Sequence, residues 1–270
     1  MRVSEWVAAG YFSYLCVVAL ILPLWPRRHA AAIAALAAAV AVCLPQLWPE
    51  STVTVIARDW MPGLYLVAGY WLSGWYFVAP LQDVEARFLA LDRWILGRDT
   101  GSTLVDLLPR VALELLEFAY VTCFLFVPGG LLALVLTGHR EAADRFWTLV
   151  LLGEFGSFAM LPWIQTRPPR VVQSASAIDR RGLFMRRMNR LQVNAVSIGV
   201  NTFPSGHVAG SLATAIAVSE VIPAGAPFLL AIVVVIAIAA VLGRYHYFIV
   251  AIAGALLTLI AWVLVRVFWH

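Results

Sequence analysis

Residues 201–210 read NTFPSGHVAG and join a polar loop to an apolar helix. Pro204 suits the first turn of a helix, because the N–H it lacks would have no partner there, and Gly206 lets a ligand approach the backbone closely. Unpaired N–H groups and the positive end of the helix dipole favour an anion in front of such a helix. Ser205 can add a hydroxyl donor and His207 can supply a proton. The stretch therefore predicts a helix that begins at an anion site, and phosphate fits this site best.

The composition places this helix in a membrane protein. Hydrophobic residues make up 62% of the 270 residues, charged residues 13%, and the mean hydropathy is +0.86. A bilayer-spanning helix needs about 20 apolar residues. About eight runs approach that length, near 8–25, 30–48, 60–79, 109–136, 145–164, 204–222, 226–243 and 246–268. The pattern predicts an all-α, polytopic membrane helical bundle of about eight transmembrane helices, with the fourth run broken at Pro128, Gly129 and Gly130.

Other classes of protein are disfavoured. The first run is long and has no small-residue cleavage site before Pro26, so we interpret it as a retained anchor. The three cysteines lie singly in apolar runs without paired spacing, which indicates neither a metal site nor a disulfide framework. No cofactor and no nucleic-acid partner are expected, and the sequence leaves the oligomeric state open.

Two polar stretches interrupt the apolar runs. Residues 81–109 carry apolar positions at helical spacing and predict an interfacial helix. The insert at 165–202 contains LFMRRMNRLQV, in which an apolar stripe runs beside arginines 186, 187 and 190. This segment is either a helix on anionic headgroups or a solvated basic loop that sets topology.

Threading the eight runs through a membrane brings three separated clusters to one face. TRPPR (166–170) closes the fifth run, FPSGH (203–207) opens the sixth, and GRYHY (243–247) lies at the turn into the eighth. Together they supply guanidinium groups suited to phosphate, a helix N-terminus and two histidines. The arginines are Arg167, Arg170 and Arg244, and the histidines are His207 and His246. This inventory is what phosphoryl transfer through a histidine requires.

These clusters resemble the three sequence blocks of the type 2 phosphatidic acid phosphatase (PAP2) superfamily, which also includes the vanadium haloperoxidases. FPSGH matches the second block in full. TRPPR and Tyr245-His246-Tyr247, with ALDRWILGRD (90–99) upstream, are most similar to the inositol-phosphorylceramide synthase-like branch. The resemblance covers roughly residues 60–268. It implies a six-helix PAP2-like catalytic membrane domain at 60–270, preceded by two additional N-terminal transmembrane helices at 1–59.

The resemblance also implies a role for each site residue. His246 would be the nucleophile that takes the phosphoryl group, and His207 the general acid that protonates the leaving alcohol. Ser205, Gly206 and the three arginines would hold the phosphoryl oxygens. The family needs no metal for this chemistry.

The third block departs from the family pattern at two positions. The usual arginine six residues before the histidine is Ala240, and the usual aspartate four residues after it is Val250. That aspartate orients the nucleophilic imidazole and fixes its tautomer. Arg244 can replace the missing guanidinium. Glu117 and Glu114 lie at about the depth in the membrane at which the missing carboxylate would be. We therefore expect one of them to contact His246 or a site arginine, and the alternative is that both serve helix packing.

Distance along the helices excludes two other carboxylates as partners of His246. Glu154 and Glu220 each lie thirteen residues from the motif at the site face, which is about 20 Å along a helix.

The face of the membrane and the substrate are less determined. With eight spans, 14 of the 19 arginines fall on the site-bearing face, which predicts a cytoplasmic site. Most members of the family act on the outer or lumenal face, so both sides of the membrane stay open for the site. The chain itself is expected to cross the cell (inner or plasma) membrane several times. A site at headgroup level favours an amphiphilic ester such as phosphatidate, a prenyl phosphate or pyrophosphate, or a phospholipid donor.

The sequence thus predicts an integral membrane lipid phosphatase or phosphotransferase that works through a phosphohistidine. The alternative is a catalytically impaired lipid-phosphate-binding or scaffold protein, for which Val250 is the argument. A haloperoxidase is disfavoured because the chain is membrane-embedded and contains no lysine for the first block.

Overall fold

The computed structural model describes residues 1–97, 102–173 and 177–269. Its α-helices are α1 (Val3–Ile21), α2 (Arg28–Cys43), α3 (Thr52–Ser73), α4 (Gln82–Leu96), α5 (Ser102–Leu107), α6 (Arg110–Leu136), α7 (Ala143–Ala159), α8 (Pro169–Val172), α9 (Ala177–Arg180), α10 (Phe184–Val196), α11 (Gly206–Val221), α12 (Ala226–Leu242) and α13 (Phe248–Phe268). Short 3₁₀ turns lie at Leu44–Leu47, Gly74–Tyr76, Arg140–Ala142 and Pro223–Gly225. In the described residues, extended pairing is confined to one bridge between Thr166 and Asn201. The all-α prediction is confirmed.

Among the described residues, five helical segments are long and apolar enough to cross a membrane: Val3–Ile21, Arg28–Leu47, Arg110–Leu136, Pro223–Leu242 and Phe248–Phe268. The other three predicted runs are also helical but fall short of these criteria. Helix α3 carries Arg58 and Asp59, while α7 and α11 have only 17 and 16 residues. The prediction of a polytopic helical membrane bundle is confirmed, although three of its helices are more polar or shorter than an ordinary span.

Several predicted boundaries shift because polar groups cap the helices earlier. Helix α1 begins at Val3, where the carboxylate of Asp144 accepts the N–H groups of Val3 and Ser4, both at 3.0 Å. An anion at this point satisfies donors that have no partner within the helix. Helix α3 begins at Thr52, eight residues before the predicted start, because Ser51 Oγ accepts the Thr54 N–H at 3.2 Å.

The predicted break in the fourth run is wrong. Helix α6 runs without interruption through Pro128, Gly129 and Gly130. Transmembrane helices tolerate proline where neighbouring helices cover the freed backbone groups. Gly130 is in close packing, since an added Cβ would lie 2.5 Å from Thr214 Cγ2 of α11.

Helices α7 and α11, the two that are shorter than an ordinary span, lie at the centre of the bundle. Helix α7 packs against α1, α3, α11 and α13, and α11 packs against α6, α12 and α13. Thr258 of α13 donates its hydroxyl to the Ala209 carbonyl of α11 at 2.9 Å. At 1.5 Å per residue each of the two helices is about 25 Å long. Most of their side chains are buried by the surrounding helices.

The start of α11 lies below the start of α13. The Ser205 N–H donates to the Val250 carbonyl at 3.0 Å, and a Cβ added to Gly254 would lie 2.5 Å from the Ser205 carbonyl oxygen. Gly254 is six residues into α13, about 9 Å along its axis. The helix start predicted to bind an anion is therefore recessed within the bundle.

Candidate active site

The NTFPSGHVAG stretch forms the predicted helix start. Ser205 is the N-cap of α11, is fully buried, and accepts the Val208 N–H at 3.4 Å. Thr202 Oγ1 accepts the Gly206 N–H at 3.4 Å. The serine hydroxyl is therefore oriented by the helix that it caps. We call the end of the bundle that holds this cap the histidine end.

His207 and His246 are in direct contact. His207 Nδ1 lies 3.1 Å from His246 Nε2, and the other ring nitrogen of His246, Nδ1, lies 2.8 Å from Asn201 Oδ1. Nε2 of His207 is buried, and among the described residues it has no hydrogen-bond partner. Burial, followed by the neighbouring His207 and Arg170, holds the pKa of His246 well below its usual value. Burial and these neighbours thus favour the uncharged form of His246.

The three sequence clusters meet around this pair. Thr166 and Asn201 form the β-bridge, and the Arg170 N–H donates to the Arg244 carbonyl at 3.1 Å. Tyr247 donates its hydroxyl to the Arg167 carbonyl at 3.0 Å. The juxtaposition that threading predicts is therefore present, and it is made by backbone groups as much as by side chains.

The three arginines differ in what they contact. The Arg170 guanidinium lies over the Tyr245 ring at 5.4 Å from its centroid, and burial lowers its pKa. Arg244 has a left-handed backbone, with φ of 59°, and its Nη2 donates to the Pro169 carbonyl at 3.2 Å and to Gln173 Oε1.

Arg167 is bound to a carboxylate that the sequence analysis did not single out. Its Nε and Nη2 donate to the two oxygens of Glu85 in α4, at 3.0 and 2.8 Å, and its backbone N–H donates to Oε1 at 2.7 Å. Burial alone would raise the pKa of Glu85, but the bonds from Arg167 outweigh it and hold the pKa below its usual value. Arg170 is therefore the predicted arginine best placed to meet an anion beside the histidines.

Aromatic rings cover one side of His207. Tyr120 of α6 stacks on His207, with centroids 5.1 Å apart, and stacks more closely on Tyr245, at 3.6 Å. Phe124 meets His207 edge-on at 5.4 Å. This wall is apolar and suits the organic part of an amphiphilic ester.

Glu117 and Glu114 do not orient His246, contrary to expectation. Glu117 accepts from Arg186 Nη1 at 3.0 Å, from Asn189 Nδ2 at 2.6 Å and from the Tyr245 hydroxyl at 2.7 Å. Glu117 is thus satisfied without reaching any predicted site arginine, and its partner Arg186 faces inward and not toward headgroups.

Glu114 has a capping role. It accepts the N–H groups of Phe184 and Met185 at the start of α10, both at 2.8 Å, and lies 3.7 Å from Arg110. Residues 184–196 are therefore helical and anchored to α6. The alternative of a solvated loop is wrong for this segment.

Glu154 lies much nearer the motif than helical counting indicates. A Cβ added to Gly206 would meet its Oε2 at 2.6 Å, and one added to Gly210 would overlap Oε1. A distance of about 20 Å holds only for a helix that continues to Arg167, and α7 ends at Ala159, after which the chain turns. The space beside Gly206 thus accommodates a carboxylate of the protein.

Two further residues were missed by sequence reasoning. Asn201 stands at the head of the quoted stretch, in the part that the sequence predicts as a polar loop. Asp92, within ALDRWILGRD, accepts the N–H groups of Phe248 and Ile249 at 3.0 and 3.4 Å and caps α13 immediately after His246. Burial raises the pKa of Asp92. Arg98 and Asp99 of the same segment lie outside the described residues.

Comparisons with known proteins place this geometry in a family. Comparison with curated proteins and with solved structures gave no match. The family model of the PAP2 superfamily matches residues 87–264, a range that includes all three clusters, both histidines and the helices that hold them. The chain therefore belongs to the PAP2 superfamily.

Proposed function

We propose that this protein is a phosphatase or phosphotransferase that cleaves a lipid phosphate or pyrophosphate ester through a phosphohistidine on His246. The observation that carries the proposal is the arrangement around His246. Its Nδ1 is bonded to Asn201, its Nε2 is directed at His207, and Arg170 lies beside the pair. A nucleophile, a proton donor and a cation are thus next to one another at a recessed helix start.

The reaction follows from these positions. The Nε2 lone pair of His246 attacks phosphorus, and the bond from phosphorus to the alcohol oxygen breaks. His207, protonated in the complex with the anionic substrate, gives its proton to that oxygen. Water or a lipid hydroxyl then attacks phosphorus and gives its proton to His207. The bond from phosphorus to Nε2 breaks, which releases phosphate or the phosphorylated lipid and restores His246.

Substrate entry must separate the two histidines. A separation of 3.1 Å between their nitrogens leaves no room for a phosphorus atom between them. The phosphoryl group would replace this contact by contacts with Arg170 and the α11 N-terminus, both of which favour an anion.

Apolar surroundings support a lipid ester over a soluble one. In the described part of the bundle that holds the site, five helical segments are long and apolar enough to cross a membrane, and Tyr120 and Phe124 cover His207. Phosphatidate, prenyl phosphates and pyrophosphates, and phospholipid donors share a phosphate joined to an apolar chain. Transfer of a headgroup phosphate to a lipid hydroxyl, as in the inositol-phosphorylceramide synthase-like branch, is the finer form of this proposal.

Binding without turnover is the second candidate. It is favoured by the closed histidine pair and by the bonds that engage Arg167 and Arg244 with protein groups. A protein of this kind would retain lipid phosphates without cleaving them.

The test is turnover by the purified protein in detergent on a panel of these three lipid classes, with and without a lipid alcohol as acceptor. We expect wild type to release phosphate or transfer it, and His246→Ala to lose at least 10³-fold in rate, as removal of a catalytic nucleophile does. His207→Ala should lose a comparable factor with esters of poor leaving groups. His29→Ala, at an exposed histidine, is the matched control and should be unchanged.

The intermediate gives a second readout. When a reaction on a substrate with a radiolabelled phosphate is quenched, wild type should carry label that is stable to alkali and labile to acid. His246→Ala should carry none. Tight binding of lipid phosphates by wild type with no turnover across the panel would favour the binding protein instead.

A further inference from the structure

We propose that Asn201 is the positioning residue of His246 and takes the role that an aspartate four residues after the histidine usually has. The inference rests on the proposed function of His246 as nucleophile. Asn201 Oδ1 lies 2.8 Å from His246 Nδ1, and both side chains are buried. An acceptor at Nδ1 keeps the proton there and leaves the lone pair on Nε2, the nitrogen that faces His207.

The surroundings of Asn201 hold its amide in place. Its Nδ2 donates to Thr166 Oγ1 at 3.1 Å, and its backbone N–H donates to the Thr166 carbonyl at 2.8 Å. Thr166 is fully buried and directly precedes Arg167 in the first cluster. The β-bridge between the first cluster and the residues just before the second thus positions the group that orients the histidine of the third.

The opposite orientation of the Asn201 amide is disfavoured by its consequence for His207, the last residue in the hydrogen-bonded series from Asn201 through His246. It would make His246 Nδ1 an acceptor and Nε2 a donor to His207 Nδ1, so that the His207 proton would lie on Nε2. That atom is buried, and no described residue offers it an acceptor. A buried N–H without a partner is rarer and more costly than an unused lone pair.

Position 250 is already used in another way. Val250 is fully buried, and its carbonyl accepts the Ser205 N–H that starts α11. Glu117, Glu114 and Asp92 are bonded elsewhere, and in the part of the chain that the structure describes no carboxylate is hydrogen-bonded to His246. The amide therefore stands alone at Nδ1.

A neutral partner alters the charge balance of the site. The groups that act on His246 are His207 of α11 and Arg170 of α8, and both disfavour its protonated form. Tyr120 of α6 stacks on His207, and Asp92 of α4 binds the backbone two residues away. An amide fixes the tautomer without adding a negative charge that would repel the incoming phosphate.

The first experiment compares Asn201→Leu with Asn201→Asp on the substrate that wild type turns over. Leucine removes the acceptor, and we expect kcat to fall by about 10-fold or more with KM little changed, because loss of the group that fixes the tautomer of a catalytic histidine can cost up to about 10⁴-fold. Aspartate keeps an acceptor, so kcat should stay within about 10-fold of wild type. Its charge raises the pKa of His246, so the acid limb of kcat/KM should move to higher pH by about one unit or more.

Val250→Asp is the matched comparison. Because position 250 is buried against α11, we expect the added carboxylate to lower kcat and to leave the acid limb where it is. Full activity in Asn201→Leu, or a rise in activity in Val250→Asp, would overturn the assignment to Asn201.

The second experiment needs no turnover, so it separates this inference from the proposed function. In protein labelled with ¹⁵N-histidine, NMR distinguishes the two tautomers, and the His246 signals are assigned by their loss in His246→Ala. We expect wild type and Asn201→Asp to carry the proton on Nδ1, and Asn201→Leu to populate the Nε2–H form. An Nε2–H form in wild type would overturn the proposal even if the enzyme is active, and an Nδ1–H form would support it even if no lipid is cleaved.

Discussion

The two ends of the bundle use arginine in opposite ways. At the end formed by the starts of α1, α3 and α7, which we call the charge-paired end, Arg2 and Arg140 both bond to Asp59, and Arg58 forms two bonds of 2.8 Å to Glu5. Both carboxylates are buried. Each buried negative charge there has a partner, as a structural network requires.

The histidine end contains similar pairs, and Arg170 differs from them. Arg167 with Glu85 and Arg186 with Glu117 repeat the paired pattern. Arg170 lies instead over the Tyr245 ring and beside the two histidines, and burial lowers its pKa. In the described residues no carboxylate is paired with it. A half-buried cation whose neighbours are rings and imidazoles is suited to an anion, so this arrangement distinguishes the histidine end more clearly than the number of arginines does.

The largest expected effect is the loss of activity in Arg170→Gln, compared with the paired arginine variant Arg167→Gln. We expect kcat/KM to fall about 10²- to 10³-fold, about 2.7–4 kcal/mol, because the substitution removes a charge from the phosphoryl oxygens. Arg167→Gln should cost less than about 10-fold in activity but should lower thermal stability, because it leaves Glu85 buried and unpaired. Steady-state kinetics and thermal melts of both variants check this. Equal kinetic losses would show that the pairing of Arg167 does not exclude it from the substrate.

Gly254→Ala tests whether the recessed helix start matters. The added methyl would lie 2.5 Å from the Ser205 carbonyl, so α11 must move away from α13. We expect about a 10-fold loss of kcat with a lower melting temperature, since small displacements of catalytic groups are costly. Gly129→Ala, where an added Cβ meets nothing within 4 Å, is the control and should lower neither quantity. Unchanged kinetics in Gly254→Ala would contradict this account of the helix start.

Asp59→Asn addresses the charge-paired end and has the smallest expected effect on activity. It removes the charge that Arg2 and Arg140 share, and we expect a loss of about 1–3 kcal/mol in stability. The turnover of the folded fraction should be that of wild type, because this end of α7 is far from the histidines. Melting in detergent and activity per folded protein give the two values. A loss of turnover without a loss of stability would show that the two ends are coupled.

Much of the fold was predictable because apolar runs of bilayer length favour helices in any context. The eight predicted runs are all helical, and FPSGH forms the start of α11. Errors arose where a boundary depends on a distant group. Asp144 sets the start of α1, and the end of α7 at Ala159 brings Glu154 beside Gly206. Neither contact has a local pattern, since the partners are far apart in the chain.

The sequence by itself determined the class of the protein, the helices, the three clusters and the two histidines, because composition, periodicity and motif spacing are local properties. Only the tertiary structure decided which groups serve them. It put Asn201 and not Glu117 at His246, paired Arg167 with Glu85, and left Arg170 beside the histidines. Hydrogen bonds and ion pairs form between whichever groups the folded backbone brings within about 3 Å, and in this bundle helices distant in sequence supply those groups.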